Sequence, residues 1–198
     1  GSDSLDAMVL AYCDASGPRA SELLTYTDLL AADHSTVFNS LTAADPRTVA
    51  LAKLLTELGS DPLWQLIQAE TFGKSYVAPA YERYVSMGLQ TPLALAMLAD
   101  TANQSGPGRI DKLRLTFPEV PPARGGAEAN WCRAFNNARR KFLLGLGGPA
   151  ATSVYRCTTF DRLMAANAWQ LLAPFPVLTK GTVTAAQAAA WQQVLLRA

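Results

Sequence analysis

Thr91-Pro92-Leu93-Ala94-Leu95-Ala96-Met97-Leu98-Ala99 opens with a hydroxyl residue before a proline and then runs through seven apolar residues without a break. Thr before Pro is a helix start: the hydroxyl caps free backbone N–H groups, and Pro sits where no N–H is needed. A helix that is apolar almost all round has to be covered on every side. This stretch is therefore expected to be the buried central helix of an all-α protein. It stops at Ser105-Gly106-Pro107-Gly108, a firm breaker.

The same start signal recurs upstream. Asp45-Pro46 opens a segment carrying Val49, Leu51, Leu54, Leu55 and Leu58 at helical spacing, closed by Gly59. Asp61-Pro62 opens another, with Leu63, Leu66, Ile67, Val77 and Tyr81 as its buried stripe, an interruption near Gly73 and an end by Gly88. Leu5 to Tyr12 is helical by pattern, and Arg19 to about Ala32 is expected to form one further helix. Downstream, Ile110 and Leu113 fit a short helix before the proline-bearing loop 118–126. Glu128 to Leu144 is amphipathic, with Trp131, Ala134, Phe135, Ala138 and Phe142 on one face. Val154 to Met164 and Thr184 to Arg197 complete the set, and Pro174-Phe175-Pro176-Val177-Leu178 is an extended connector. Sustained period-two alternation is nowhere present, so no substantial sheet is expected. No linker or composition break divides residues 1–198, which read as one domain.

Composition narrows the function classes. Hydrophobic residues make up 49% of the 198 and charged residues 17%, enough for a sizeable core. A net charge of +1 argues against a general electrostatic grip on nucleic acid. No apolar run approaches the ~20 residues a bilayer span needs. The chain opens Gly1-Ser2-Asp3 without a signal peptide. Gly1 is expected to follow a cleavage, a cloning scar or a longer parent chain.

Most catalytic constellations are missing. His34 is the sole histidine and sits in a polar stretch, so neither a hydrolase triad nor a zinc centre has its parts. Cys13, Cys132 and Cys157 form no C-x-x-C pair. They are either three buried small hydrophobes or, for Cys132 and Cys157, a disulfide. Gly145-Leu146-Gly147-Gly148 lacks the Lys-Ser/Thr of a phosphate loop and closes a helix instead. In Arg139-Arg140-Lys141 adjacent residues diverge by about 100°. Arg139 leans to the apolar side and needs a carboxylate partner; Arg140 and Lys141 point more to solvent. Two acids stand out: Asp100, at the end of the apolar helix, and Glu70, a turn beyond Leu66. Each is either a structural partner or a cleft acid.

In order, these landmarks resemble the chitosanase/lysozyme-like glycoside hydrolases. Gly1 to Tyr12 is similar to the segment that follows the catalytic hairpin of chitosanases. Asp61-Pro62-Leu63-Trp64 to Gln68, then Tyr76-Val77-Ala78-Pro79-Ala80, resembles their D-P-x-[FW]…Q…Y-x-x-P-A pattern. Gly88-Leu89, Thr91-Pro92-Leu93 and Asp100-Thr101-Ala102-Asn103-Gln104-Ser105-Gly106 follow at the family's distances. Trp131 to Arg140, Ser153-Val154-Tyr155-Arg156 and Asn167 to Leu171 resemble the peptidoglycan hydrolases of that fold, found in phage lysins and type VI secretion effectors.

The resemblance implies a two-lobed helical fold holding a saccharide cleft, and hydrolysis of β-1,4 bonds between amino sugars by two carboxylates, with no metal or organic cofactor. The general acid and base are expected upstream of Gly1, together with a small β-hairpin. Substrate binding is expected from Asp3 or Ser4, Tyr76, Asp100 and Ser105, the last standing where many chitosanases carry His. Arg139 and Arg156 match the basic residues that pair with carboxylates behind the active site. A muramidase acting on peptidoglycan in the bacterial envelope, as an effector or lysin with an immunity or secretion partner, is the leading expectation. A chitosanase and a non-catalytic saccharide-binding domain are the alternatives.

Overall fold

The computed structural model describes the backbone of residues 2–31, 45–177, 181–183, 186 and 189, and side chains for 5–31, 45–175, 186 and 189. It is almost wholly helical and matches the all-α lysozyme/chitosanase-like fold. Two compact units are present, 1–71 with 193–198, and 72–192.

In the first unit, α1 (Ser2–Asp14) packs against α2 (Ala20–Leu24) and α3 (Thr27–Ala31). The single helix expected from Arg19 to Ala32 is thus two short ones. The Thr25 and Thr27 hydroxyls bond the carbonyls of Glu22 and Leu24, which competes with continuing the helix. Asp45 caps α4 (Pro46–Leu58) by accepting from Arg47 N, with Pro46 in the first turn as anticipated. Leu51, Leu54 and Leu58 are buried, but Val49 is exposed: it falls off the face those three define. The N-terminus of α5 (Pro62–Phe72) is held by Asp61, whose Oδ1 accepts from Leu63 N and Trp64 N. Its Oδ2 takes the hydroxyl of fully buried Tyr12 at 2.8 Å. Tyr12 meets Trp64 edge-on, centroids 5.5 Å apart, at the centre of this core. Gly17 lies on the Tyr12 ring so closely that a Cβ there would come within 2.3 Å of it.

The second unit begins with a π-helical turn, Gly73–Val77, in which Ala78 N–H reaches back to the Gly73 carbonyl. Pro79 explains it. The proline ring collides with the carbonyl four residues earlier in a regular α-helix, and the wider turn relieves that contact. The helix is therefore widened at Gly73 rather than interrupted. In α6 (Ala78–Ser86) Ala80 is buried, but Tyr81, expected in the buried stripe, is 53% exposed and stacks on Tyr84. The end is closed by Gly88 N–H to Val85 and Leu89 N–H to Tyr84, with Gly88 at φ +67° against the Ala123 backbone.

The apolar helix is α7 (Pro92–Ser105), and its burial is as read: Leu93, Ala94, Met97, Leu98, Ala99, Thr101 and Ala102 are all enclosed. Thr91 caps it by accepting from Ala94 N. The Glu128 carboxylate accepts from the Thr91 hydroxyl at 2.7 Å and from the N–H groups of Gln90 and Thr91. Around α7 pack α8 (Gly108–Arg114), α9 (Glu128–Leu146) and α11 (Tyr155–Ala165), with α10 (Gly148–Thr152) beside α9. Trp131 and Phe135 stack 5.1 Å apart on α9, with Phe117 edge-on to both. The expected connector pairs instead as a small hairpin, β1 (Phe175–Val177) with β2 (Gly181–Val183), antiparallel with Phe175 opposite Val183. The helix expected over Thr184–Arg197 lies outside the described residues, as does His34.

Candidate active site

Asp100 sits near the C-terminal end of α7, on the side that meets α9 and α11. Arg139 projects from α9 with only 1% of its side chain exposed, and its Nη2 donates to Asp100 Oδ2 at 2.6 Å. Arg156, at the start of α11, donates from Nη1 to the other oxygen, Oδ1. The carboxylate is thus gripped by two guanidiniums from two helices. Burial works against the Arg156 charge, but Asp100 and the Tyr155 hydroxyl outweigh it and lift its pKa above the ordinary arginine value.

The group extends one turn along α7. Arg139 Nη2 also donates to Gln104 Oε1; Gln104 Nε2 donates to Ser153 Oγ, which in turn donates to the Ala150 carbonyl. Arg139 Nε and Nη1 are buried with no hydrogen-bond partner among the described residues. The Arg139 guanidinium also lies 6.0 Å from the Phe160 ring centre. A second knot ties the same helices: Asn136 Nδ2 donates to the Cys157 carbonyl and to Asp161 Oδ1, and Arg140 pairs with Asp161 Oδ2. Of the basic triplet, Arg139 is buried and paired as its spacing required, Arg140 is half-buried and paired, and Lys141 is exposed.

The structure therefore brings Asp100, Arg139 and Arg156 together and adds Gln104 and Ser153. Gln104 was legible in principle, four residues beyond Asp100 and so on the same helix face. Tyr76 lies in the π turn, half-buried against the unit's core and 5.7 Å from the Phe72 ring. Ser105 ends α7, also half-buried. Among the described residues neither makes a side-chain hydrogen bond to the Asp100 group. Asp3 and Ser4 fall in the first turn of α1, with side chains outside the described ones. Glu70 is half-buried and engaged with a neighbour. Cys132 and Cys157 are buried thiols, not a disulfide; burial, above all, pushes Cys132 up to about 12. No cluster of three or more His, Cys, Asp or Glu suited to a metal occurs among the described residues. No helix among them is long and apolar enough to cross a membrane.

The arrangement is a positioning device. Two fixed cations on one carboxylate lock the end of α7 to α9 and α11, and the spare N–H groups of Arg139 present further donors.

Comparison with solved structures gives the same fold in the family-46 chitosanase of Gynuella sunshinyii in complex with chitotetraose. The TM-score is 0.68 at 20% identity, over 91% of this chain and 77% of that one. Native chitosanase from Bacillus subtilis MY002 superposes with TM-score 0.65 at 20% identity, covering 88% and 75% of the two chains. A mutant of that enzyme complexed with 6 GlcN gives 0.63 at 22%, covering 89% and 77%. No curated protein sequence matches the chain. The family model for glycosyl hydrolase family 46 matches residues 8–175, and with this helical architecture the chain belongs to that family of glycoside hydrolases.

Proposed function

We propose that the chain is the helical part of a hydrolase that cleaves β-1,4 bonds in a chitosan-type polymer of glucosamine. One observation carries the reading: in a family-46 fold, Asp100 is clamped by Arg139 and Arg156 at the end of the buried helix. The solved neighbours are chitosanases, two of them holding glucosamine oligomers, and this favours chitosan over peptidoglycan as the substrate. Glycoside hydrolysis uses one carboxyl group to protonate the leaving oxygen and another to act on water or on the sugar. Asp100 is assigned neither task, because each of its oxygens is already taken by a guanidinium. Its role is to fix Arg139, whose remaining N–H groups orient a carboxylate of the catalytic pair. That pair is assigned to polypeptide upstream of Gly1 in the parent protein.

A second reading, a muramidase acting on the cell wall in the bacterial periplasm, keeps two supports. Ser105 occupies the place where many chitosanases carry His, and a net charge of +1 gives no general attraction for a polycation. Incubating the parent-length protein with chitosan oligomers and, separately, with purified sacculi decides between them. Release of shorter glucosamine oligomers is expected. Soluble muropeptides from sacculi without chitosan turnover would transfer the assignment to the second reading, and turnover of neither would overturn both.

A further inference from the structure

On one face of the second unit, α8 and α9 enclose an open hollow of about 470 Å³. Helical spacing builds it. Arg109 and Lys112 are three residues apart on α8, and Asn137 and Lys141 four apart on α9, so each pair shares a helix face. The back wall is apolar, formed by Leu113, Phe117 and Phe142 among others. The Arg109 guanidinium lies over the Phe142 ring, 4.0 Å from its centre, which holds that cation in place against the wall.

The cations here are set apart from the others in the chain. Arg19, Arg47, Arg83, Arg139, Arg140 and Arg156 all sit in ion pairs. Among the described residues Arg109, Lys112 and Lys141 do not, although all three line one hollow. Glu119 is the lining's only carboxylate, so positive charge is in excess. Asn137 Oδ1 accepts from Arg140, leaving its amide N–H groups as donors.

We propose that this hollow is an accessory binding site for an acidic saccharide, separate from the Asp100 group. Arg109, backed by Phe142, offers a planar fork suited to a carboxylate. Lys112 and Lys141 add charge at the rim, Asn137 donates to a hydroxyl, and the Leu113–Phe117 wall takes the C–H face of a sugar ring. A chain of a glycoside hydrolase family meets polysaccharide at its surface, and the sign of the charge selects among polymers: polyglucosamine is repelled here and a carboxylate-bearing glycan is held. The proposal rests on family membership and not on which polymer is cleaved.

The test is calorimetric titration of the full chain with N-acetylglucosaminyl-N-acetylmuramic acid, with neutral di-N-acetylchitobiose and with inorganic phosphate. The acidic disaccharide is expected to bind about tenfold more tightly than the neutral one, a difference of about 1.4 kcal/mol. Lys112→Glu combined with Lys141→Glu should erase that preference, and Arg109→Gln should weaken it, with helical circular dichroism unchanged because the lysines are exposed. Equal binding of the two disaccharides, or a preference that survives charge reversal, would overturn the proposal. So would phosphate binding as tightly as the acidic disaccharide, which would mark a simple oxyanion site. Chitosan turnover by the parent protein should be indifferent to the lysine changes, so that assay fails or succeeds on its own account.

Discussion

Asp100 and Arg139 meet between α7 and α9 with 2.6 Å separating Oδ2 from Nη2, and the arginine is almost wholly withdrawn from water. Removing either partner leaves an uncompensated buried charge, which costs about 3–5 kcal/mol. Asp100→Leu and Arg139→Met should each lower stability on that scale in urea titrations. The double variant should lose less than the sum of the two. Additive losses would show that the residues are not coupled. Arg139→Lys is not expected to rescue, since an ammonium cannot reach Asp100 and Gln104 with one planar group.

Arg156 grips the other oxygen of Asp100 from a half-exposed position, so its loss should spare the fold more than the loss of Arg139. Arg156→Gln in the parent-length protein is expected to lower kcat on chitosan oligomers by roughly 100-fold through misplacement of the catalytic groups. KM should change little. A rise in KM with unchanged kcat would make Arg156 a substrate contact instead.

The Asp61–Tyr12 bond makes the first unit sensitive to acid. Burial opposes charge on Asp61, yet the Tyr12 hydroxyl and the N–H groups of Trp64 and Leu63 outweigh it and hold the carboxyl below its ordinary value. A depressed folded-state pKa means that the stabilisation is complete above the unfolded value of about 3.9 and drains away as pH falls through the folded one. Thermal scans should therefore show Asp61→Asn costing most near neutrality, with the gap to the unmodified chain narrowing below about pH 4. A gap independent of pH would count against this account.

Glu128 ties the start of α9 to the cap of α7 through the Thr91 hydroxyl and two backbone N–H groups. Glu128→Ala leaves those donors without their acceptor and should cost about 1–3 kcal/mol. Thr91→Ala should cost about 1 kcal/mol as a lost cap. Because the two share one network, a double-mutant cycle by chemical denaturation is expected to give less than their sum.

Cys132 and Cys157 are completely buried, and burial, as the main influence, raises the pKa of both thiols. Thiolate is the reactive form, so both should resist alkylation in the native state. Iodoacetamide at pH 8, read by intact mass, should label Cys13 only. Incorporation of three labels without denaturant would contradict the packing.

The helices were legible because their starts are written in the chain as a capping residue followed by proline: Asp45-Pro46, Asp61-Pro62 and Thr91-Pro92 all open helices. The burial of α7 and the need of Arg139 for a carboxylate were readable for a similar reason, since both follow from helical spacing alone. What escaped depends on partners distant in sequence. Val49 and Tyr81 are apolar enough for a core, yet nothing local shows that their faces turn outward. The pairing of β1 with β2 needs two three-residue strands too short to show a period. Gln104, Ser153 and Glu128 are ordinary polar residues until α7, α9 and α11 are packed, and only then do they become the acceptors that complete the Asp100 group and the α7 cap.

The π turn at Gly73–Val77 acts as a phase shifter. It spends one residue more than an α-turn would before delivering the chain to Pro79. Deleting Gly73 would rewind the turn and advance every later side chain of α6 by about 100° relative to the residues before it. Ala80, which now touches the core, would trade places with a bulkier neighbour, and the aromatic signal in near-ultraviolet circular dichroism would record the misfit. A single residue of length, rather than any side chain, thus keeps α6 facing α7.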